Sequence, residues 1–220
     1  MRGVIADLKD REYSINRLLE HVEEISEMRG RVDITVVLKS SVFIAIYNNI
    51  EATAYAAVER IHESASHLRY EELADPFKIK MLKYSFGKLS AAHMTDPQKT
   101  HAEENKIKLS QLTFPNLTDY LRRQSLFSGN IDARKLNVTG ISYGLPKLTF
   151  PKADAERMLW VKNKRNKIAH GEQSMSDGGQ GIKTADLRCA FASVSRTLRH
   201  FISEVEVLLC TEAFKANQRT

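Results

Sequence analysis

The chain has 220 residues, 42% of them hydrophobic, and a formal net charge of +6. That length and apolar share fit one domain with a real core, and the modest basic excess fits an anionic partner without demanding one. Early charges (Arg2, Asp7, Lys9, Asp10, Arg11) break any export signal, the apolar run Ile34–Ile50 is interrupted by Lys39 and too short to span a bilayer, and two cysteines make no disulfide framework; a cytoplasmic protein is expected.

Val4–Met28 reads as the first helix, with Leu8, Ile15, Leu18, Leu19, Val22 and Ile25 on one side and Gly30 after its end. No glycine or proline occurs from Arg31 to Asp75. Asp33 can cap a long second helix reaching about Tyr70. Its first half is apolar on nearly every side (Val36, Val37, Leu38, Val42, Phe43, Ile44, Ile46, Ile50), which belongs in the middle of a bundle. The same stretch carries Tyr47, Asn48, Asn49 and Glu51. Asn48 and Glu51 stand three apart and are neighbours on the helix surface. A carboxylate there needs a partner, so Glu51 either lies at the bundle edge or faces a cation such as Arg165. His62 and His67 read as surface histidines.

All five prolines fall between Pro76 and Pro151, so the segment of about 76–151 is less regular. Pro76–Ala92 reads as a helix bent near Gly87, Asp96–Ser110 as a loop or exposed helix, and Leu117–Gln124 as a short helix. Ser128–Gly129–Asn130 is a turn signal, after which Asn130 or Asp132 can cap another short helix. Val138–Tyr143 is β-branched and reads as extended. Asp154–Ala169 is a helix, with Met158, Leu159, Trp160 and Val161 for packing. Ser174–Gly181 reads as a flexible connection. From Ala185 to about Phe214, Leu187, Phe191, Val194, Leu198, Phe201, Val205 and Leu208 form a heptad seam. Cys189 and Cys210 share that helix, about 31 Å apart along its axis, too far to bridge. The layout is an all-α bundle with long central helices and an irregular middle insertion, within a single domain over 1–220.

The stretch Val161–Gly171, VKNKRNKIAHG, carries the chemistry. Five residues on a helix turn Arg165 and His170 about 140° apart, so both can serve one group only if the helix stops near Ala169. Gly171 suits the left-handed residue that ends helices, and His170 at a helix C-terminus is favoured as a cation. The same residues also fit a capping histidine and a solvated arginine. No zinc spacing, phosphate loop, dinucleotide fingerprint or nucleophile elbow is present, so no metal or cofactor is called for. An arginine, a histidine and a basic helix (Lys162, Lys164, Lys167) suit RNA cleavage without a metal. A histidine titrates near neutral pH and can move the 2′-hydroxyl proton, while a guanidinium stabilises the phosphorane. One histidine cannot serve as acid and base at once, which a two-fold dimer would resolve.

Arg165, Asn166 and His170 match the Arg-x4-6-His motif, with asparagine after the arginine, of the HEPN superfamily. The order of LKSSVFIAIYNNIEA (Leu38–Ala52), LFSGNIDARKL (Leu126–Leu136), Tyr143–Gly144 and RNKIAHG resembles its MAE-type prokaryotic branch. The resemblance implies a dimeric helical bundle whose arginines and histidines line a shared cleft. It also implies a metal-independent endoribonuclease in toxin–antitoxin or phage-defence systems, with an antitoxin or other defence protein as a partner. Glu51 would be the polar position near the cleft, supported by Asn48 and Asn166. Some members of the superfamily only bind nucleotides or proteins, so a non-catalytic interaction or nucleic-acid-binding module is the alternative.

Overall fold

The computed structural model describes residues 1–86, 112–127 and 129–216. Among them run α1 (Arg2–Ser26), α2 (Val32–Ala65), a 3-10 turn (Tyr70–Glu72), α3 (Asp75–Phe86), α4 (Leu117–Arg123), α5 (Ala133–Ser142), α6 (Lys152–Ala169), α7 (Met175–Gly179) and α8 (Thr184–Cys210). The only β-type pairings among the described residues are two isolated bridges, Arg69 with Thr113 and Leu73 with Lys215. The fold is all-α. Gly87–Ala92, with the bend expected there, and Asp96–Ser110 lie outside the described residues.

The chain divides into two units. The first comprises Met1–Ala56, Gly129–Asn137 and Leu148–Ile202. In it, side-chain contacts between neighbouring helices close a ring. Arg11 of α1 donates to Asn49 and Thr53 of α2 at 3.0 and 3.2 Å. Phe43 of α2 meets Trp160 of α6 edge to face at 4.7 Å. Arg196 of α8 grips Asp154 of α6 at 3.0 and 2.6 Å. Arg188 and Arg199 of α8 pair with Glu23 and Glu12 of α1. Inside that ring lie Leu8, Leu19, Phe43, Ile46, Met158, Val194 and Leu198, each 0–1% exposed. The burial of such side chains, at about 1.5–3 kcal/mol each, dominates over the ion pairs at the rim.

The second unit comprises Ala57–Ser128, Val138–Lys147 and Ser203–Thr220. Its centre is aromatic: Phe77 contacts Phe114, Tyr143 and Phe214 with ring centroids 5.4, 5.9 and 6.2 Å apart. Backbone bonds from Ala74 to Phe214 O and from Phe114 to Leu68 O, both 2.9 Å, tie its connecting segments to that centre.

Three local expectations are corrected. Val138–Tyr143 is not extended but belongs to α5, up to Ser142. Asp132 starts that helix by accepting from Lys135 N at 2.9 Å, and Leu136, Thr139, Gly140 and Tyr143 bury one side at helical spacing. Tertiary burial overrides the β-branched composition. Ser174–Gly181 is no loose connection: Ser174 caps the short α7. Gly178 and Gly179 are buried there, because a Cβ on Gly179 would stand 1.9 Å from Val36 O. His62 is not on the surface but fully buried. In addition α2 stops at Ala65, and Asp33 lies inside its first turn.

Candidate functional site

Arg165 sits on the side of α6 that faces α2, and its side chain is only 16% exposed. Three groups orient the guanidinium. Nη2 donates to Glu51 Oε1 at 3.2 Å and to Gly129 O at 2.9 Å. The guanidinium carbon lies 3.5 Å from the centroid of the Tyr47 ring, a cation–π contact in a partly desolvated place. Nε is buried and Nη1 makes no hydrogen bond among the described residues. The fork is thus held from one end and from below, with donors left for an anion.

Tyr47 is the hub of this cluster. Its side chain is fully buried, and its hydroxyl donates to Gly129 O and accepts from Ile131 N, each at 2.9 Å. Gly129 O therefore receives both the tyrosine and the arginine. Gly129 has φ +67°, a conformation that glycine adopts freely, and this aims its carbonyl at both donors. Burial pushes the Tyr47 hydroxyl up to about 12, so it stays neutral and serves as a strut.

Next along α6, the Asn166 amide donates to Asn130 Oδ1 at 2.5 Å. Lys162, 13% exposed, meets Asp132 at 2.8 Å. Burial raises the Asp132 carboxyl, but Lys162, the Lys135 N–H and Arg134 outweigh that and hold it below its ordinary range. Lys162 therefore anchors the start of α5 instead of standing on an open cationic face. Lys164 reaches Gly178 O at 3.2 Å. Lys167 is exposed and unpaired among the described residues.

α6 stops at Ala169 with His170 as its C-cap, and the His170 N–H bonds Asn166 O at 2.9 Å. Gly171 follows in the left-handed region, φ +74°. The His170 side chain is exposed and makes no hydrogen bond among the described residues. Arginine and histidine thus have different settings: one fixed and partly enclosed, the other presented at a helix end. Asn48 is exposed and bonds no partner among the described residues; Tyr47, one position earlier, takes the place beside Arg165. Sequence reasoning passed over Tyr47 and Gly129 as site residues. The available signals were the four-residue spacing of Tyr47 from Glu51 and the turn at Gly129.

An all-α protein with an arginine clamped beside a tyrosine and a histidine at the end of the same helix belongs to a definable class. The chain is a member of the HEPN superfamily, in the family described as HEPN_MAE_28990-like HEPN, whose model matches residues 3–214. Membership points to an RNase or nucleotide-binding type of function. No curated protein and no solved structure matches the chain significantly. Among the described residues no helix is long and apolar enough to cross a membrane.

Proposed function

We propose that the chain is a metal-independent endoribonuclease acting as a homodimer, a single cytoplasmic HEPN domain serving as a toxin or phage-defence effector. The observation that carries this reading is the setting of Arg165. Tyr47, Glu51 and Gly129 O orient its guanidinium while Nη1 stays free, on the helix that ends in exposed His170.

In the reaction, His170 removes the proton from a ribose 2′-hydroxyl, and that oxygen attacks the adjacent phosphorus. The P–O5′ bond breaks, and the leaving oxygen takes a proton from a second imidazole. The partner subunit's copy of the same motif supplies that imidazole. Arg165 meets the negative charge that builds on the non-bridging oxygens. Glu51 and Asn166 hold the arginine and its helix in register, Lys167 and Lys164 attract the RNA, and Lys162 stabilises the scaffold through Asp132. A cognate antitoxin would act by covering this cleft.

The test is incubation of the purified chain with total cellular RNA, with and without a chelator. New ends bearing 2′,3′-cyclic phosphate are expected, unchanged by the chelator and absent with His170→Ala. Equal cleavage by a protein carrying both Arg165→Ala and His170→Ala rejects the reading.

One observation favours a second reading, a non-catalytic binding module. Arg165 already has a carboxylate partner in Glu51 at 3.2 Å, as a purely structural arginine would. That reading requires that no RNA be cut under any condition.

A further inference from the structure

One side of α6 carries a stripe that the mechanism above uses only in part. Trp160, Asn163, Lys164 and Lys167 stand at i, i+3, i+4 and i+7 and so share a helix side. They line one surface groove of about 500 Å³, together with Asn166 and Glu172.

Trp160 is the only tryptophan of the chain. It is half-buried, and its ring packs at 89° against fully buried Phe43. The indole is therefore held in place; part of what remains uncovered lines this groove, and part borders a second one with Glu156, Arg157 and Asp186. A rigid aromatic surface beside cations is what a nucleobase and its phosphate require together. Stacking takes any base, while ammonium groups track the backbone. Lys164 is steadied by its bond to Gly178 O at 3.2 Å. Lys167 is exposed and unpaired among the described residues, and Asn163 is exposed with its amide likewise unbonded. Glu172 is the one carboxylate lining the groove, against two ammonium groups.

The stripe also has a direction. His170 follows Lys167 by three positions and so neighbours it at the helix end, about 80° around the axis from Trp160, and α6 stays helical up to Ala169. From Trp160 to His170 is about 15 Å along the axis at helical rise. A strand lying in this groove runs toward the histidine.

We propose that this groove is a subsite for single-stranded RNA. One unpaired base stacks on Trp160, and Lys167 and Lys164 hold the neighbouring phosphates. The Asn163 amide reaches a base edge, and the strand continues toward His170. Stacking on Trp160 needs a base whose face is free, so duplex RNA is a poor occupant. The direction of the strand rests on the ribonuclease reading; binding in the groove does not.

The experiment uses Trp160 as its own reporter. The full chain is titrated with a short single-stranded oligonucleotide of 2′-O-methyl riboses, which has no attacking hydroxyl, and with the same sequence as a duplex. Binding is followed in parallel by anisotropy of a labelled strand. The single strand is expected to change Trp160 fluorescence saturably, more tightly than the duplex, with affinity falling as salt rises. Trp160→Leu is expected to weaken anisotropy-detected binding roughly tenfold, and Lys167→Ala several-fold. Lys167 is exposed, so its variant carries the test alone if Trp160→Leu fails to fold. Binding with unchanged fluorescence, equal response to the duplex, no binding at all, or undiminished binding by the folded variants overturns the subsite.

Cleavage of unmodified RNA is read separately. Saturable quenching by a wild-type protein that cuts nothing leaves the subsite standing and removes the nuclease. Cleavage with no fluorescence response does the reverse. In a cutting protein, Trp160→Leu raises KM more than it lowers kcat.

Discussion

Of the tyrosines that carry a cation over the ring among the described residues, Tyr47 and Tyr143 hold theirs at the shortest distances, and the two clusters differ in almost every other respect. In the first unit the Arg165 guanidinium lies 3.5 Å from the Tyr47 centroid; in the second the Lys80 ammonium lies 3.6 Å from that of Tyr143. Arg165 has Glu51 as counter-charge and an unengaged end. Lys80 is 6% exposed and donates to Ser142 Oγ at 2.9 Å, with no carboxylate partner among the described residues. Burial and then Lys83 push it down to about 7. Tyr143 is also bound to a histidine: Nε2 of His62 lies 2.7 Å from its hydroxyl, and Nδ1 lies 2.8 Å from Pro115 O. A carbonyl can only accept, so Nδ1 carries the proton and Nε2 accepts from Tyr143. Burial outweighs the Pro115 bond and pushes His62 down to about 4. A cation on a tyrosine is therefore not in itself a site. Solvent access and a counter-charge separate Arg165, with its unengaged Nη1, from Lys80, which is sealed into a core.

The largest expected effect contrasts the two histidines. His170→Ala should lower RNA cleavage by about 10²-fold or more, the usual share of a general acid or base, with an unchanged thermal midpoint. Comparable loss of stability in this variant would make His170 a structural cap. Arg165→Lys keeps the charge but loses the fork, and should cost about 10²-fold in kcat/KM. Full activity in that variant would place Arg165 with Lys80 as scaffold.

His62→Leu should leave the turnover of folded protein intact and destabilise it by about 2–4 kcal/mol, measured by urea unfolding, because Tyr143 and Pro115 lose a buried partner. The same histidine sets a pH dependence. Its ordinary value is 6.5 and its folded value about 4, so the unfolded chain binds more protons between those limits. Stability is full above pH 6.5 and falls as pH drops toward 4, by roughly 3 kcal/mol from this group. Unfolding curves across that window should be flatter in His62→Leu, and parallel curves would contradict a buried neutral imidazole. Lys80 has the same sign at higher pH, its contribution rising between about 7 and 10.5. Smallest is Tyr47→Phe, which keeps the ring under Arg165 but leaves the Ile131 N–H unbonded. A loss of about 1–2 kcal/mol is expected, with a several-fold drop in cleavage, less than for Arg165→Lys.

Much of the framework was legible from residue spacing. The heptad positions of α8, from Leu187 to Leu208, are buried or nearly so, and α1 buries Leu8, Ile15, Leu19 and Val22. These helices pack one face, so periodicity names that face. α2 did not allow this reading. Apolar on almost every side, it offers no contrast from which to choose between Tyr47 and Asn48, both neighbours of Glu51. α5 hid behind Val138 and Ile141, which are 56% and 47% exposed, while the buried side is made of small and polar residues as well as apolar ones. His62 looked like any polar residue on a long helix, since the carbonyl and hydroxyl that satisfy it come from positions 115 and 143.

By itself the sequence determined the long helices, the stop after Ala169 and the order Arg165, Asn166, His170, because these follow from side-chain period, from glycine and from local capping. Only the tertiary structure decided that Tyr47 and Gly129 hold Arg165, that Lys162 is tied to Asp132, and that Trp160 borders a groove. Those choices depend on which distant segments share a face. A one-dimensional pattern records how strongly a side chain avoids water, but not which neighbour replaces it.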